Sequence, residues 1–277
     1  MQGSSQSSST GAAVMVALDL GAESERRVKY AASMADRLSA ALIGIGAREP
    51  ILPFPDDNMP VDSHLLELGQ AQVAADLVRT ESVFRQAAGQ RSDIEWRSQT
   101  GTPLTFAAEQ ARAADFLIVS RRGSQDSFDT LMGIDPADLV FAVGRPILVI
   151  PPGKDYFFSR HVLVAWKDTR ESRRAVMDSL PLLKCAEEVE VLTVDDAEAG
   201  VNDVCSFLLR HGIESTPLFR NSGSRSAAEE ILRIAGGEGS DLIVSGAYGH
   251  ARMREWIFGG VTWELLRESS VPCLMSH

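Results

Sequence analysis

A doubly wound α/β fold, present twice in tandem, is what this sequence predicts, and three observations predict it. Short β-branched runs alternate with segments of helical spacing along the chain. The runs are apolar without interruption, the mark of parallel strands covered on both faces. The same order of runs and landmarks occurs twice. Strict alternation of strand and helix gives right-handed crossovers, so two five-stranded parallel-sheet domains follow.

The repeat is legible residue by residue. A shift of 126 residues places Asp115 on Asp241, Gly123 on Gly249, Gly133 on Gly259 and Pro146 on Pro272. The pair Leu131-Met132 then falls on Ile257-Phe258. The starts of the halves align at a different shift, 148, which lays VMVALDLGAES from Val14 on VLVAWKDTRES from Val162. The change of shift means that the second half lacks residues in its middle. The proline-rich stretch EPILPFPDDNMP, Glu49 to Pro60, is the expected place, and its prolines predict an extended loop.

In the first half the expected strands are 14–18, 41–46, 94–97, 116–120 and 147–150. In the second they are 162–166, 189–194, 215–219, 242–245 and 273–276. Between them RRVKYAASMADRL sets Val28, Ala31, Ala32, Ala35 and Leu38 on one helical face, and VTWELLRE does the same with Val261, Leu265 and Leu266. These limits divide the chain into a tail (1–11), a first domain (12–152) and a second (160–277), with the boundary in PPGKDYFFSR. The tail, MQGSSQSSSTG, is Ser/Gly/Gln-rich and reads as disordered, without the basic start and apolar core of a signal peptide.

Composition narrows the function classes. A charged fraction of 23% with 44% apolar residues is that of a globular protein. The net charge of −11 argues against a general affinity for nucleic acid or an anionic membrane. No apolar run reaches the roughly 18 residues of a membrane helix. Cys185, Cys205 and Cys273 are far apart and without a CxxC pair, so they read as reduced thiols of a cytoplasmic protein. The P-loop, nucleophile-elbow, HExxH and dinucleotide-binding patterns are all missing. No catalytic or metal-ligating set emerges, and the five histidines are scattered.

One segment carries most of the functional signal. SGAYGHARMREWIFGGVT, Ser245 to Thr262, follows a strand directly and leads into a helix. In an open α/β sheet ligands sit beyond the carboxyl ends of the strands, where the strand order reverses. Glycine there admits positive φ and lets backbone approach a ligand, and a helix start offers free N–H groups to phosphate. Gly246, Gly249, Gly259 and Gly260 are the candidate cradle, with Val261 and Thr262 at the helix start. His250 and Arg252 stand between as possible phosphate partners. The plain alternative is that strand-to-helix turns need glycine whether or not anything binds.

The spacing Gly246-x2-Gly249-x9-Gly259, set in a β1-α1…β5 unit, resembles the universal stress protein family, with VMVALD and VLVAWK as weaker support. The resemblance covers nearly all of residues 12–277 and implies a Rossmann-like tandem member. Nucleotide-binding members carry G-x2-G-x9-G-[S/T] and an Asp after strand one. Here Gly260 holds the Ser/Thr position, with Thr262 the nearest hydroxyl, and Lys167 holds the Asp position, with Asp168 next. Losing one hydroxyl removes about 0.5–1.5 kcal/mol. In the first half Asp19 is kept, but Ser120, Ile134 and Pro136 break the pattern, so that half reads as mainly structural.

The resemblance thus implies a cytoplasmic stress-response protein that binds ATP or another adenine nucleotide, with Mg²⁺, in its second half. It implies binding rather than catalysis, at most a slow ATPase, with a protein partner reading the bound state. The competing reading is a protein-interaction module of the same fold without a nucleotide, its glycines kept for turns. Strands 147–150 and 273–276 are expected to pair within one molecule as a pseudo-dimer, with a homodimer of whole chains as a further expectation. No nucleic acid or membrane partner is expected.

Overall fold

A computed structural model describes residues 11–51, 63–123, 129–196, 200–248 and 260–277. The tail up to Thr10, most of the Glu49–Pro60 stretch and the segment from Gly249 to Gly259 lie outside the described residues.

The first half runs β1 (Ala13–Ala17), α1 (Ser24–Leu38), β2 (Ala41–Arg48), α2 (Ser63–Ala87), β3 (Ile94–Thr100), α3 (Pro103–Gln110), β4 (Phe116–Ser120), α4 (Pro136–Ala142) and β5 (Ile147–Ile150). The second runs β6 (His161–Ala165), α5 (Arg170–Leu183), β7 (Glu188–Val194), α6 (Val201–Arg210), β8 (Thr216–Arg220), α7 (Ala227–Gly237), β9 (Leu242–Gly246), α8 (Val261–Glu268) and β10 (Cys273–Ser276). Every strand expected from the β-branched runs is present, four of them longer than expected by one to three residues and the rest within one residue of the expected bounds. Helix starts follow local chemistry. Pro103 and Pro136 open α3 and α4, where a missing N–H costs nothing. Ser226 and Glu229 close a reciprocal capping box on α7.

The two parallel units join into one ten-stranded sheet of order β3-β2-β1-β4-β5-β10-β9-β6-β7-β8. Eight of the neighbouring pairs are parallel. The join is the exception: β10 pairs antiparallel with β5, Cys273 opposite Val149 and Met275 opposite Ile147. Two edges that would each expose unpaired backbone groups thereby satisfy one another. Side-chain alternation then builds two cores that cross the join without a break. Val14, Phe116, Leu148, Leu274 and Val244 face the layer of α1, α2, α5 and α6. Met15, Leu117, Ile147, Met275 and Ile243 face the layer of α3, α4, α7 and α8.

The halves differ most between their second and third strands. There α2 has 25 residues and its counterpart α6 only 10. The residues missing from the second half therefore include much of a helix as well as the proline-rich stretch. Between β5 and β6 the chain is packed rather than loose. Phe157 is buried edge-on against Tyr30 of α1, ring centroids 5.7 Å apart, and its N–H donates to Ser33 Oγ at 2.8 Å.

Candidate functional site at the carboxyl edge of the sheet

Strand order reverses between β1 and β4 in the first half and between β6 and β9 in the second. At each place the chain leaves two adjacent strands in opposite directions and opens a crevice at their carboxyl ends. The two crevices begin alike. The Arg121 N–H donates to Ile150 O at 2.8 Å and the Ala247 N–H to Ser276 O at 2.8 Å, one bond made twice. What fills them is different.

In the first half a buried arginine lies under the crevice. Arg27 of α1 is 3% exposed and spends every nitrogen. Its Nε donates to Ala17 O at 2.7 Å, and its Nη2 donates to Asp19 Oδ2 at 2.8 Å and to Ser24 Oγ at 2.9 Å. Its Nη1 reaches Ser120 Oγ at the end of β4. Burial works against charge on Asp19. The Arg27 guanidinium, the Ser24 hydroxyl and the Gly21 amide outweigh it and hold the carboxyl below its ordinary value. Above this network lies a cavity of about 210 Å³, bordered by Leu18, Asp19, Ser120, Arg121 and Ile134.

The second half has Lys167, Ala175 and Gly246 where the first has Asp19, Arg27 and Ser120. The charge network is gone and the helix moves in. A Cβ on Gly246 would stand 2.5 Å from Ser172 N and 2.7 Å from Glu171 C, so the first turn of α5 rests directly on β9. The α5 start is closed by its own cap, Thr169 Oγ1 accepting from the Ser172 N–H at 3.2 Å.

The helix that follows the fourth strand differs too. In the first half Asp135 caps α4: its carboxylate accepts the Ala137 N–H at 2.9 Å and pairs with Arg122 at 2.6 Å. The anion position at that helix start is filled by the protein itself. Its counterpart α8 begins at Gly260, whose φ of 152° lies in a region open to glycine, and among the described residues no side chain caps it. The first amides of a helix have no partner within the helix itself.

The structure places the candidate residues as follows. Gly246 ends β9 against α5; Gly260 precedes α8, Val261 opens it, and Thr262 is buried in its first turn, 9% exposed. Thr262 Oγ1 accepts the Tyr248 N–H at 3.1 Å, which leaves the hydroxyl its own proton to donate. Lys167 and Asp168 follow β6, whose Ala165 lies opposite Ser245 of β9, so both segments leave the sheet side by side. Asp168 is engaged by Arg173 at the surface. Gly249, His250, Arg252 and Gly259 lie outside the described residues. Sequence reasoning missed Arg27, although Ser120 in the place of a glycine marked the spot, and it missed Asp135, although Asp-Pro before a helix is a start signal. Among the described residues no group of three or more His, Cys, Asp or Glu is placed to hold a metal ion, and no helix is long and apolar enough to cross a membrane.

Fold and crevice together define a class: a tandem pair of doubly wound α/β units joined through their fifth strands. Comparison with known proteins narrows it. Residues 216–277 match the model of the universal stress protein family. Universal stress protein Slr1230 of Synechocystis is 23% identical over 244 residues, covering 84% of this chain and 80% of that protein. Universal stress protein MJ0577 of Methanocaldococcus jannaschii is 38% identical over 47 residues, 17% of this chain and 29% of that protein. In fold the chain resembles a universal stress protein from Archaeoglobus fulgidus, with a TM-score of 0.70, 16% identity and 96% of each chain covered. A functionally unknown protein from Pseudomonas aeruginosa, PA1789, gives a TM-score of 0.57 at 14% identity, covering 97% of this chain and 93% of that one. Residues 216–277 thus carry the match to the universal stress protein family, and over most of its length the chain is similar to a universal stress protein.

Proposed function

We propose that this is a cytoplasmic stress-response protein that binds an adenine nucleotide at the carboxyl edge of its second half, and that a partner protein reads the bound state. The observation that carries this reading is the contrast between the two helix starts. Asp135 supplies α4 with a carboxylate and would repel phosphate. The start of α8 has no capping side chain among the described residues and directly follows the Gly249-x9-Gly259 spacing. A helix N-terminus with open amides favours an anion through both its donors and its dipole. Gly260, Val261 and Thr262 would hold phosphate, with Lys167 adding positive charge on the same edge. ATP with Mg²⁺ is the form we would test first.

A second reading has its own support, the cavity over Arg27 in the first half. One experiment separates the two. Purified protein is denatured and assayed for released ATP, ADP or AMP, and its melting temperature is followed with ATP–Mg²⁺ at millimolar concentration. Bound nucleotide or a rise in melting temperature is expected, and Gly259→Asp should abolish the rise. A rise that survives Gly259→Asp but disappears in Ile134→Trp, which fills the first-half cavity, moves the ligand to the first half. No release and no rise leave the protein an interaction module of the same fold.

A further inference from the structure

The sheet ends in β3 on one side and β8 on the other, and among the described residues no strand lies beyond either. An open edge is a template for another strand unless something blunts it. The two edges are finished differently. In β8 the Asp195 N–H donates to Arg220 O at 3.0 Å, so Arg220 and every second residue before it turn their backbone toward β7. Pro217 therefore faces outward, and its missing N–H takes a donor from the edge.

The other edge has no such device. β3 is seven residues long, against five for β8, and contains neither proline nor glycine. The Leu42 N–H donates to Asp93 O at 3.1 Å and the Gly101 N–H to Arg48 O at 3.0 Å. Glu95, Arg97 and Gln99 thus spend their backbone groups on β2, while Ile94, Trp96, Ser98 and Thr100 turn theirs outward. The Trp96 ring is folded back over Gly46, where a Cβ would stand 2.9 Å from its Cη2, and lies against Phe84 at 5.6 Å between centroids. It leaves the outer backbone clear. On the opposite face Arg97 grips Glu95 with two prongs, Nε on Oε1 at 2.7 Å and Nη2 on Oε2 at 3.1 Å. That grip holds the Glu95 carboxyl below its ordinary value, so both groups are charged at neutral pH.

A second copy of β3 fits this edge, and charge selects its register. A two-fold antiparallel pair sets outward-turned residues opposite outward-turned ones, so it centres on a residue of the strand. Centring on Glu95 or Arg97 sets that charge against its own copy, which is destabilising. Centring on Ile94 sets Glu95 against Asp93, and centring on Ser98 leaves Arg97 facing the uncharged Gln99. Centring on Trp96 sets each Glu95 opposite the other copy's Arg97. These are positions without backbone bonds, where side chains across an antiparallel pair stand closest. Ile94 and Ser98 then exchange backbone bonds across the pair, as Trp96 does with its own copy.

We propose that β3 is a dimerisation edge, on which a second copy of this chain pairs antiparallel about Trp96 and continues the sheet. The two-fold arrangement uses both β3 edges, and Pro217 discourages growth at β8, so assembly stops at two chains. Sedimentation of the full chain over a range of concentrations tests it, the expected species being a dimer of the 30.0 kDa chain. Ser98→Pro copies the device of β8: it removes an outward N–H and spares the bonds to β2. It should give a monomer with unchanged far-UV circular dichroism. Glu95→Arg sets arginine against arginine and Arg97→Glu sets glutamate against glutamate, and each should weaken the dimer about tenfold or more. Mixed in equal amounts, the two single variants should pair again, because opposite charges then face each other; repair within one strand would not produce this recovery. A wild type that stays monomeric at high micromolar concentration overturns the proposal. So does a dimer that survives Ser98→Pro, or a pair of single variants that fails to recover on mixing.

Discussion

The two carboxyl-edge crevices descend from one plan and have been finished in opposite ways. In the first half charge fills the space: Arg27, Asp19, Ser24 and Ser120 form a closed network, and Asp135 occupies the helix start. In the second half backbone fills it: α5 rests on Gly246, and among the described residues the start of α8 carries no side-chain cap. The difference teaches how a duplicated fold divides labour. One half satisfies its helix start with its own carboxylate. On the reading proposed above, the other would leave that place to a ligand.

The largest break in that comparison should come from Arg27→Ala. Removing one partner of a buried ion pair leaves the other uncompensated, at a cost of about 3–5 kcal/mol. Chemical denaturation should show it, whereas a change at Ala175, the equivalent position, has no pair to lose. The loss should also depend on pH. Asp19 is held below its unfolded value, so its contribution is present in full above that value and disappears as pH falls through the folded one. Denaturation of wild type and Asp19→Asn should therefore differ at neutral pH and converge in acid; a constant difference would mean that packing, not charge, is what Asp19 supplies.

A middle-sized effect is expected from Gly246→Ala, because the new methyl meets helix backbone that cannot swing aside. Overpacking of this kind costs about 1–3 kcal/mol. Ser120→Ala, at the twin position, loses a hydrogen bond to the charged Arg27 guanidinium, about 1.5–3 kcal/mol. An unchanged melting temperature in Gly246→Ala would show that α5 yields and that the crevices are less different than they look. The smallest effect should be Asp135→Ala, which removes a helix cap worth about 1 kcal/mol. Equilibrium unfolding would read it, and no change would mean that neither the Ala137 amide nor Arg122 draws stability from this carboxylate.

How much of this could be read from residues alone depends on the kind of signal. The inner strands were legible because buried parallel strands must be apolar on both faces, and FLIVS or ILVI leaves few alternatives; the edge strands β3 and β8 are mostly exposed and gave a weaker signal. The pairing of Ile147–Ile150 with Cys273–Ser276 was expected only through the family resemblance, since the runs by themselves show two edges in need of cover. Arg27 was not legible. Next to Arg26 in a helix with a polar face it looks like any solvated arginine, yet Arg26 has a side chain 52% exposed and Arg27 one 3% exposed. Only the fold brings Ser120, distant in sequence, over its guanidinium. Gly246 read as a place for ligand, and the structure shows a second demand on it, the closeness of α5. One missing side chain answers to both, and spacing cannot separate them.

The join between β5 and β10 also sets a schedule. β10 is the last of the ten strands to be synthesised, so throughout translation of the second half β5 stands with an open, apolar edge. Any β10 can close it, including that of a neighbouring chain on the same message, since an exchanged strand makes the same register as its own. A self-closed molecule and a pair of chains exchanging tenth strands would then hold the same backbone bonds at the join, so stability of the finished sheet would not by itself choose between them.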